Sequence, residues 1–511
     1  MARYHTDSLP GAGTRWPDRV DARPGRRPER AGGEGGRMLE MLMQTVSLPT
    51  WLFVLVSAAG VWCLVERLAV PLLRAIVRGR SARVLSEVDE QLAVRIPPFK
   101  LTRRQVLIDR LFHDERIQDA VAQFCRESGS ARSTALRAVD RYAREIVPSF
   151  NAYLYFRFGY WLARSVARSL YRVRLGHANR DALAGIAPGS TIVFVINHRS
   201  NMDYVLVAFL VAEHVAVSYA VGEWARVWPL QTLIRSLGAF FVRRRSGDSL
   251  YRVVLQRYVQ MATEAGVPQA MFPEGGLTRD GALREPKLGL LDYMLKGFDP
   301  AGPRDLVFVP VGLNYDRVLE DRALIEGADG GLPKGVGRTA AIAAGFLAKN
   351  LWLVLTGRWF RLGYACVNFG SPVSARAYLA AGGGDLRVLA EPERHLRVAA
   401  FGRHLMAEVG RVIPVLPVSL VASIFTEDPG TVRSELEIKA AVLARMRALE
   451  ARGFHVYVPR ADQDYAVSVG LRMLSLRRLV TVRDGLYTAE PTELKVLNYY
   501  ANAVVHLVRP A

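Results

Sequence analysis

A histidine and an aspartate five residues apart have the side chains needed for acid–base chemistry in this 511-residue chain. They are His198 and Asp203 in the stretch VFVINHRSNMDYVLV, residues 193–207. The apolar, largely β-branched run before His198 predicts a buried strand, and a helix predicted from Met202 puts Asp203 in its first turn. Side chains five apart in one continuous helix diverge by about 140°, so a bend is needed for the two to meet. A histidine held by a carboxylate is a general base for a hydroxyl group.

Three later stretches also end an apolar run on polar residues. They are SLGAFFVRRR (236–245), VPQAMFPEGGLTRDG (267–281) and DLVFVPVGLNYDRV (305–318). The four stretches are roughly 40 residues apart, which is about the length of one βα unit. In open α/β sheets, ligands bind outside the carboxyl ends of the strands. We therefore expect four strands to bring polar groups to one edge of a sheet.

The polar residues at these strand ends suit a small phosphorylated alcohol. Arginines such as Arg243 and Arg244 bind phosphate bidentately and stay charged at any pH. The glycines after Glu274 let backbone approach a ligand or donate N–H groups to an oxyanion. GxSxG is absent, so direct attack by a substrate hydroxyl is favoured over a covalent enzyme intermediate. The nine histidines form no metal-type cluster and no Walker A motif occurs, so we expect no metal or other cofactor.

The elements that must position these residues follow from the hydrophobic pattern. Short β-branched runs alternate with helical stretches between about 190 and 375, which predicts an α/β fold with a central, mostly parallel sheet flanked by helices. Helical patterns occupy both sides of this region. The predicted divisions are a disordered basic N-terminus (1–37), a membrane-inserting hydrophobic helix (38–80), an N-terminal helical region (81–180), the α/β domain (181–375) and a mainly helical C-terminal region (376–511).

Two stretches suggest contact with a membrane. Residues 48–65 are apolar almost throughout, with Trp51 and Trp62 near the ends, and are long enough to span a bilayer or to lie in its interface. Residues 151–176 interleave aromatic and aliphatic residues with arginine. That pattern fits a helix on an anionic lipid surface and equally an ordinary surface helix packed on a core.

The charge of the chain limits the classes of partner. Sixty-eight Lys and Arg against 48 Asp and Glu give a net charge of +20, which favours nucleic acid, a membrane surface or a phosphorylated substrate. The arginines are spread over many predicted helices, without a nucleic-acid-binding module. We therefore expect no nucleic acid, and a basic nucleic-acid-binding protein is the distant alternative. Three widely separated cysteines indicate no disulfide framework and a reducing, cytosol-facing location.

The four stretches resemble the conserved blocks of a known family. NHRSNMD resembles the His-x4-Asp motif of the glycerolipid acyltransferase superfamily, and GAFFVRR, FPEGGLTRDG and VPVGLNYDRV resemble its second, third and fourth blocks. The form of the blocks is most similar to the glycerol-3-phosphate acyltransferases and the related dihydroxyacetone-phosphate enzymes. FGSPV (369–373) and LKVLNYYANAVVHL (494–507) resemble later segments of that family.

The resemblance implies acyl transfer from acyl-CoA or acyl-acyl carrier protein to the sn-1 hydroxyl of glycerol 3-phosphate. Dihydroxyacetone phosphate and 1-acylglycerol 3-phosphate are the alternative acceptors. His198 would be the catalytic base and Asp203 its orienting partner. The implied substrate-binding residues are Arg199, Ser200, Arg243, Arg244, Glu274, Gly275, Gly276, Thr278, Arg279, Pro310, Asn314 and Arg317.

One position departs from the family pattern. The third block usually has Glu-Gly-x-Arg-Ser-Arg, whereas Leu277 stands here in place of the first arginine. Phosphate binding would then depend on Arg279 and the second-block arginines, or the acceptor would differ. The apolar segment 48–65 and the arginines after it predict a membrane location with the site facing the cytoplasm, at the inner membrane in a bacterium. The arginine-rich stretch 151–176 predicts contact with anionic lipids.

Overall fold

The described residues contain an eight-stranded, mostly parallel sheet flanked by helices, as the alternating pattern predicts. The computed structural model describes residues 96–211, 215–222, 230–243, 247–326, 362–382 and 384–508. The strands are β1 (Arg172–Ala178), β2 (Thr191–Ile196), β3 (Ser218–Gly222), β4 (Phe240–Val242), β5 (Gln269–Met271), β6 (Leu306–Tyr315), β7 (Tyr364–Phe369) and β8 (Val373–Ser374).

The strand order brings the predicted polar strand ends to one edge. The order is β1-β7-β6-β2-β5-β3-β4, with β8 paired to β6. Neighbours from β6 to β4 are all parallel, whereas β7 runs antiparallel to β6 and parallel to β1. The carboxyl ends of β2, β4, β5 and β6 therefore lie at the same edge.

Helices cover both faces of this sheet. The labelled helices are α1 (Arg104–Phe112), α2 (Glu115–Ser128), α3 (Arg132–Ile146), α4 (Tyr160–Leu170, continuing a π-helical turn at Leu154–Gly159), α5 (Met202–Val211), α6 (Leu230–Ser236), α7 (Ser249–Glu264), α8 (Gly289–Lys296), α9 (Asp321–Glu326), α10 (Ala375–Gly382), α11 (Glu391–Val412), α12 (Pro417–Glu427), α13 (Glu435–Ala451), α14 (Gln463–Leu476), α15 (Leu494–Ala501) and α16 (Val505–Val508). Two further short helices, Pro98–Leu101 and Arg180–Ala184, are left unlabelled. A second, three-stranded sheet has the order β10 (Val480–Arg483), β11 (Leu486–Ala489), β9 (Arg433–Ser434).

Alternate residues of β6 point into two different hydrophobic cores. Val309 and Leu313 pack in one core with α5 and the C-terminal helices α12 to α15. Phe308 packs in the other, which contains α1 to α3, α7, α8 and α11. Side chains alternate between the faces of a sheet, so α1 to α3 lie on one face, whereas α4 and most of the C-terminal helices lie on the other.

The helical prediction for residues up to about 180 is wrong at its end. Helix α4 stops at Leu170, and residues 172–178 form the edge strand β1 paired with β7. In this strand Arg172 and Arg174 alternate with Val173 and Leu175. The helix before it is also rich in arginine, so the composition does not change where the helix ends and the strand begins. In the C-terminal region, the pattern Ser434-x-x-Glu437 predicts a capping box, and the structure has this capping box at the start of α13.

Some predictions lie outside the described residues. These are the disordered N-terminus (1–37) and the membrane-inserting helix (38–80), with its apolar segment 48–65. Within the described ranges, no helix has the length and apolar character to cross a membrane.

Candidate active site

The turn between β2 and α5 is fastened to the neighbouring strand β6 by Asn197. Its side-chain Nδ2 donates to the Leu313 carbonyl at 2.9 Å, and the Leu313 N–H donates to its Oδ1 at 2.7 Å. The amide thus continues the pairing with β6 beyond the last residue of β2. This interaction fixes the backbone immediately before His198.

The bend after β2 brings His198 and Asp203 together. His198 Nδ1 lies 2.9 Å from Asp203 Oδ2, and the His198 residue is 2% exposed. The imidazole stacks on Phe272 with ring centroids 4.2 Å apart, and Tyr204 meets it edge-on at 5.5 Å. No hydrogen bond from Nε2 to another described residue is present. With Nδ1 on the carboxylate, Nε2 is the nitrogen left to take a proton from a ligand.

Asp203 is held by three further donors. The backbone N–H groups of Arg199 and Ser200 donate to Oδ2 at 2.8 and 3.0 Å, and the Tyr315 hydroxyl donates to Oδ1 at 2.5 Å. Burial and the Asp203 carboxylate raise the pKa of Tyr315 well above its usual value, so the phenol keeps its proton and remains a donor. The sequence analysis did not identify Tyr315 as a site residue. The available signal was the alternation of side chains along β6, which directs its odd-numbered residues towards α5.

Glu274, at the end of β5, contacts the backbone of the same turn. Its Oε1 accepts the His198 N–H at 2.8 Å, while its buried Oε2 has no hydrogen-bond partner among the described residues. Burial raises the pKa of Glu274 to about 8, although the His198 N–H and Arg199 act in the opposite direction. A carboxyl group with this pKa is largely protonated at neutral pH and can donate a hydrogen bond.

The segment after Glu274 lies against the candidate catalytic turn, which is the turn of residues 197–201 between β2 and α5. The Thr278 N–H donates to the His198 carbonyl at 2.9 Å, and the Thr278 hydroxyl lies 2.9 Å from both Asp280 Oδ1 and the Ala282 carbonyl. Gly275 has a φ of +67° and faces the Lys287 side chain, so the turn there needs a glycine. Gly276 follows it and is half-buried.

The predicted phosphate-binding arginines differ in their surroundings. Arg243 forms a bidentate pair with Glu145, at 2.8 and 2.6 Å. It follows β4, three strands from β2, which corresponds to roughly 14 Å at the usual strand spacing. Arg279 and Arg317 are exposed. Arg244 lies outside the described residues.

Arg199 and Ser200 contact protein groups on opposite sides of the turn. The Arg199 guanidinium donates to the Gly281 carbonyl at 2.9 Å and lies over the Tyr499 ring. The Ser200 hydroxyl donates to Glu320 at 2.9 Å. Both side chains therefore hold neighbouring segments against the catalytic turn.

Two predicted site residues lie on the opposite face of β6 from Tyr315. The Asn314 side chain donates to the Pro414 carbonyl at 2.8 Å, and the Pro310 carbonyl accepts the Gly370 N–H. Even-numbered residues of β6 face the core that contains α11, because side chains alternate along a strand. The structure thus does not bring these two side chains to His198.

An apolar pocket of about 290 Å³ lies beside the catalytic turn. Tyr204 both lines it and touches the His198 ring. Other lining residues are Gly159, Ala163, Val166, Val205 and Leu237. Nowhere in the described part of the chain are three His, Cys, Asp or Glu residues placed to hold a metal.

Comparison with known proteins identifies two regions. Residues 178–314 match a family model described as "Acyltransferase", and residues 350–511 match "Glycerol-3-phosphate acyltransferase C-terminal region". All four sequence blocks begin within the first match. These matches agree with the resemblance drawn from the blocks.

Individual relatives carry the same description. Glycerol-3-phosphate acyltransferases from Alteromonas mediterranea and Xanthomonas axonopodis pv. citri are both 26% identical, over 426 and 422 residues. These alignments cover 80% of this chain and 50% and 46% of the relatives. This chain thus spans about half the length of the curated relatives it matches.

A solved structure also aligns, without adding to the fold assignment. It is the 1-acyl-sn-glycerophosphate (LPA) acyltransferase PlsC from Thermotoga maritima, with a TM-score of 0.26 and 18% identity over 60% of this chain and 98% of that one. The matches thus divide by region. Residues 178–314 match the acyltransferase family model, and residues 350–511 match the C-terminal region of the glycerol-3-phosphate acyltransferases.

Proposed function

We propose that this protein transfers a fatty acyl group from acyl-CoA or acyl-acyl carrier protein to the sn-1 hydroxyl of glycerol 3-phosphate. The product is lysophosphatidic acid, and the step belongs to phospholipid synthesis. The observation that carries the proposal is the buried His198–Asp203 pair at the carboxyl edge of the sheet. The similarity of 80% of the chain to enzymes with this name supports the choice of reaction.

The proposed reaction uses Nε2 of His198 as the base. Nε2 accepts the hydroxyl proton of the acceptor while its oxygen attacks the thioester carbonyl, forming a C–O bond and a tetrahedral oxyanion. Collapse of that intermediate breaks the C–S bond, and the departing thiolate takes the proton from the imidazolium. Asp203 stabilises the imidazolium between these steps and keeps the ring in place.

The acceptor phosphate is proposed to bind beside the Thr278 segment. The Thr278 N–H bonds the His198 carbonyl, so the adjoining Arg279 emerges next to the catalytic turn. Arg243 is neutralised by Glu145 and starts three strands away, so its participation requires that ion pair to open. With Leu277 in the third block, dihydroxyacetone phosphate and 1-acylglycerol 3-phosphate remain the alternative acceptors.

The acyl chain is proposed to occupy the apolar pocket behind Tyr204. Its lining is aliphatic and aromatic, and Tyr204 separates it from the imidazole. A thioester carbonyl close to Nε2 would thus have its hydrocarbon tail directed into this pocket. Burial of the tail contributes binding free energy in proportion to the apolar area removed from water.

Contact with an anionic membrane is proposed for the outer face of α4 and its π-helical turn. Phe158 and Trp161 are 41% and 59% exposed on this face. Arg157, Arg164 and Arg168 are exposed beside them, and residues 151–170 contain no Asp or Glu. Exposed aromatics among arginines suit the interface of a bilayer with anionic lipids. We place the active site on the cytoplasmic side.

A panel of acceptors and donors tests the proposed function. Membranes containing the full chain are supplied with radiolabelled acyl-CoA or acyl-acyl carrier protein and each of the three acceptors in turn. We expect lysophosphatidic acid to form from glycerol 3-phosphate. If only dihydroxyacetone phosphate or 1-acylglycerol 3-phosphate is acylated, that compound is the acceptor and glycerol 3-phosphate is not. If no combination of donor and acceptor gives a product, the acyl-transfer proposal is refuted.

A further inference from the structure

The C-terminal helix α15 contacts the catalytic turn through Tyr499 and Arg199. The Tyr499 hydroxyl donates to the Arg199 carbonyl at 3.2 Å, and the Arg199 guanidinium lies over the Tyr499 ring, 5.1 Å from its centroid. One guanidinium nitrogen also lies 3.5 Å from the Tyr499 carbonyl. Arg199 is 2% exposed and Tyr499 fully buried. These contacts join residues 300 positions apart in the sequence.

The hydroxyl of Tyr499 and the carboxylate of Asp203 bind opposite ends of one peptide group. The Arg199 carbonyl accepts from Tyr499, and the Ser200 N–H of the same peptide donates to Asp203 at 3.0 Å. A peptide group is planar, so fixing its carbonyl also fixes the direction of its N–H. Tyr499 therefore controls one of the donors that orient the carboxylate bound to His198.

The same helix also holds two neighbouring segments. The Tyr499 carbonyl lies against Gly281, whose added Cβ would come within 1.9 Å of it. Asn502, directly after α15, donates to the Asp280 carbonyl at 2.9 Å. The Tyr500 hydroxyl accepts the Val318 N–H at 3.0 Å in the segment after β6. One helix thus contacts the loops that follow β2, β5 and β6.

We propose that Tyr499 and Arg199 are positioning residues for the catalytic base, by which the C-terminal region sets the geometry of the His198–Asp203 pair. Arg199 acts as the contact to α15 and not as a phosphate ligand. The inference deepens the proposed function, since its kinetic readout is acyl transfer. It predicts that the contact affects the rate of the chemical step and leaves acceptor binding unchanged.

Tyr499→Phe, compared with Tyr457→Phe, tests the role of the hydroxyl. Both changes delete one phenol oxygen in the C-terminal region, but the Tyr457 hydroxyl accepts from Arg174 at the β1 edge of the sheet. We expect kcat to fall about 3- to 10-fold in Tyr499→Phe, the usual effect of one neutral hydrogen bond. KM for glycerol 3-phosphate should stay at the wild-type value, although the melting temperature falls slightly because a buried hydrogen bond is lost. Tyr457→Phe should have wild-type kinetics. A wild-type kcat in Tyr499→Phe would overturn the inference.

Arg199→Lys separates positioning from phosphate binding. Lysine keeps the charge but loses the planar fork that contacts Gly281 and Tyr499, so the inference predicts a lower kcat at unchanged KM. A raised KM at unchanged kcat would show that Arg199 binds the acceptor phosphate instead.

Hydrogen–deuterium exchange provides a readout that needs no activity. Peptides covering 197–203 should exchange faster in Tyr499→Phe than in wild type or Tyr457→Phe. If the wild type transfers no acyl group, the proposed function fails, while faster exchange still supports the contact. Unchanged exchange in Tyr499→Phe would refute the contact whatever the activity.

Discussion

Asp203 accepts four hydrogen bonds while fully buried, and its partners come from two parts of the fold, the turn after β2 and the end of β6. Two donors are backbone N–H groups of the catalytic turn, one is the His198 ring and one is Tyr315 at the end of β6. A buried carboxylate is costly unless its oxygens are well hydrogen-bonded. The same bonds leave it little freedom to rotate, which keeps Nδ1 of His198 paired and leaves Nε2 as the nitrogen available to a ligand.

Glu274 gives a prediction about stability and pH. Its pKa is raised from 4.5 to about 8 in the folded protein, so between these values the native state binds more protons than the unfolded state. The free energy of unfolding therefore decreases as pH rises through this window. Glu274→Gln removes that dependence, so its melting temperature should exceed the wild-type value by more at pH 8.5 than at pH 5.5.

The exposed Glu285 in the same segment provides the control. Glu285→Gln should show little change from wild type at either pH. A Glu274→Gln difference that is the same at pH 5.5 and 8.5 would contradict the raised pKa of Glu274.

At the scale of a secondary-structure element, helix α4 and its π-helical turn have one face that lines a pocket and one face that is exposed. One face, with Gly159, Ala163 and Val166, lines the apolar pocket next to the active site. The opposite face exposes Phe158 and Trp161. An element that borders both the pocket and a lipid surface would give an acyl chain a short path between them.

Hydroxyl-radical footprinting with vesicles tests the exposed face of this helix. Trp161 should be oxidised readily in the protein alone, and several-fold more slowly with phosphatidylglycerol vesicles, because an inserted indole is shielded from the radical. Vesicles of phosphatidylcholine alone should protect it less. Because oxidation is measured at Trp161 itself, membrane binding through another segment alone would not protect this side chain.

Leu396 on α11 is the internal control for this experiment. It is 72% exposed on a helix that packs on the opposite face of the sheet from α5. Its oxidation should not change with vesicles. Equal oxidation of Trp161 with and without anionic vesicles would contradict membrane contact through α4.

Secondary structure was predictable where one pattern dominates locally. The apolar runs before His198 and Asn314 predicted β2 and β6, and Ser434 with Glu437 predicted the start of α13. Strand β1 was missed because its arginines continue the pattern of α4. The roles of Tyr315 and Tyr499 depend on sheet register and on packing between residues 112 and 300 positions apart. The alternation along β6 indicates only the face on which Tyr315 lies, and no local sequence pattern identifies Asp203 or Arg199 as the partners of these two tyrosines.

At the scale of the whole molecule, the C-terminal region completes one face of the central sheet. The core on that face contains residues of β6, α5, α12, α14 and α15 together. A sheet face must be covered by apolar side chains to exclude water. The acyltransferase domain and the C-terminal helices therefore share one hydrophobic core, so we expect them to unfold together.

Gly281→Ala tests this shared stability. The substitution places a Cβ against the Tyr499 carbonyl at a φ of +86°, so it should weaken the docking of α15. Gly485→Ala is a matched control, since Gly485 has a φ of +75° with nothing within 4 Å. We expect Gly485→Ala to cost about 1–2 kcal/mol from the backbone conformation alone. Gly281→Ala should cost at least about 2 kcal/mol more, as overpacking does.

Chemical denaturation measures the free energy of unfolding of the two variants. In each variant we expect the acyltransferase domain and the C-terminal helices to unfold in a single transition. Equal destabilisation by the two substitutions would mean that the loop at Gly281 can move away from α15 at little cost in free energy. That result would contradict tight docking of the C-terminal region.

The most direct test of the central claim compares acyl transfer to glycerol 3-phosphate by wild type and His198→Ala, in membranes with matched amounts of folded protein. A general base contributes typically 10²- to 10⁴-fold to the rate, so we predict that lysophosphatidic acid formation falls at least about 100-fold in the variant. KM for glycerol 3-phosphate should change little. Product formation by His198→Ala at the wild-type rate would contradict the assignment of His198 as the catalytic base.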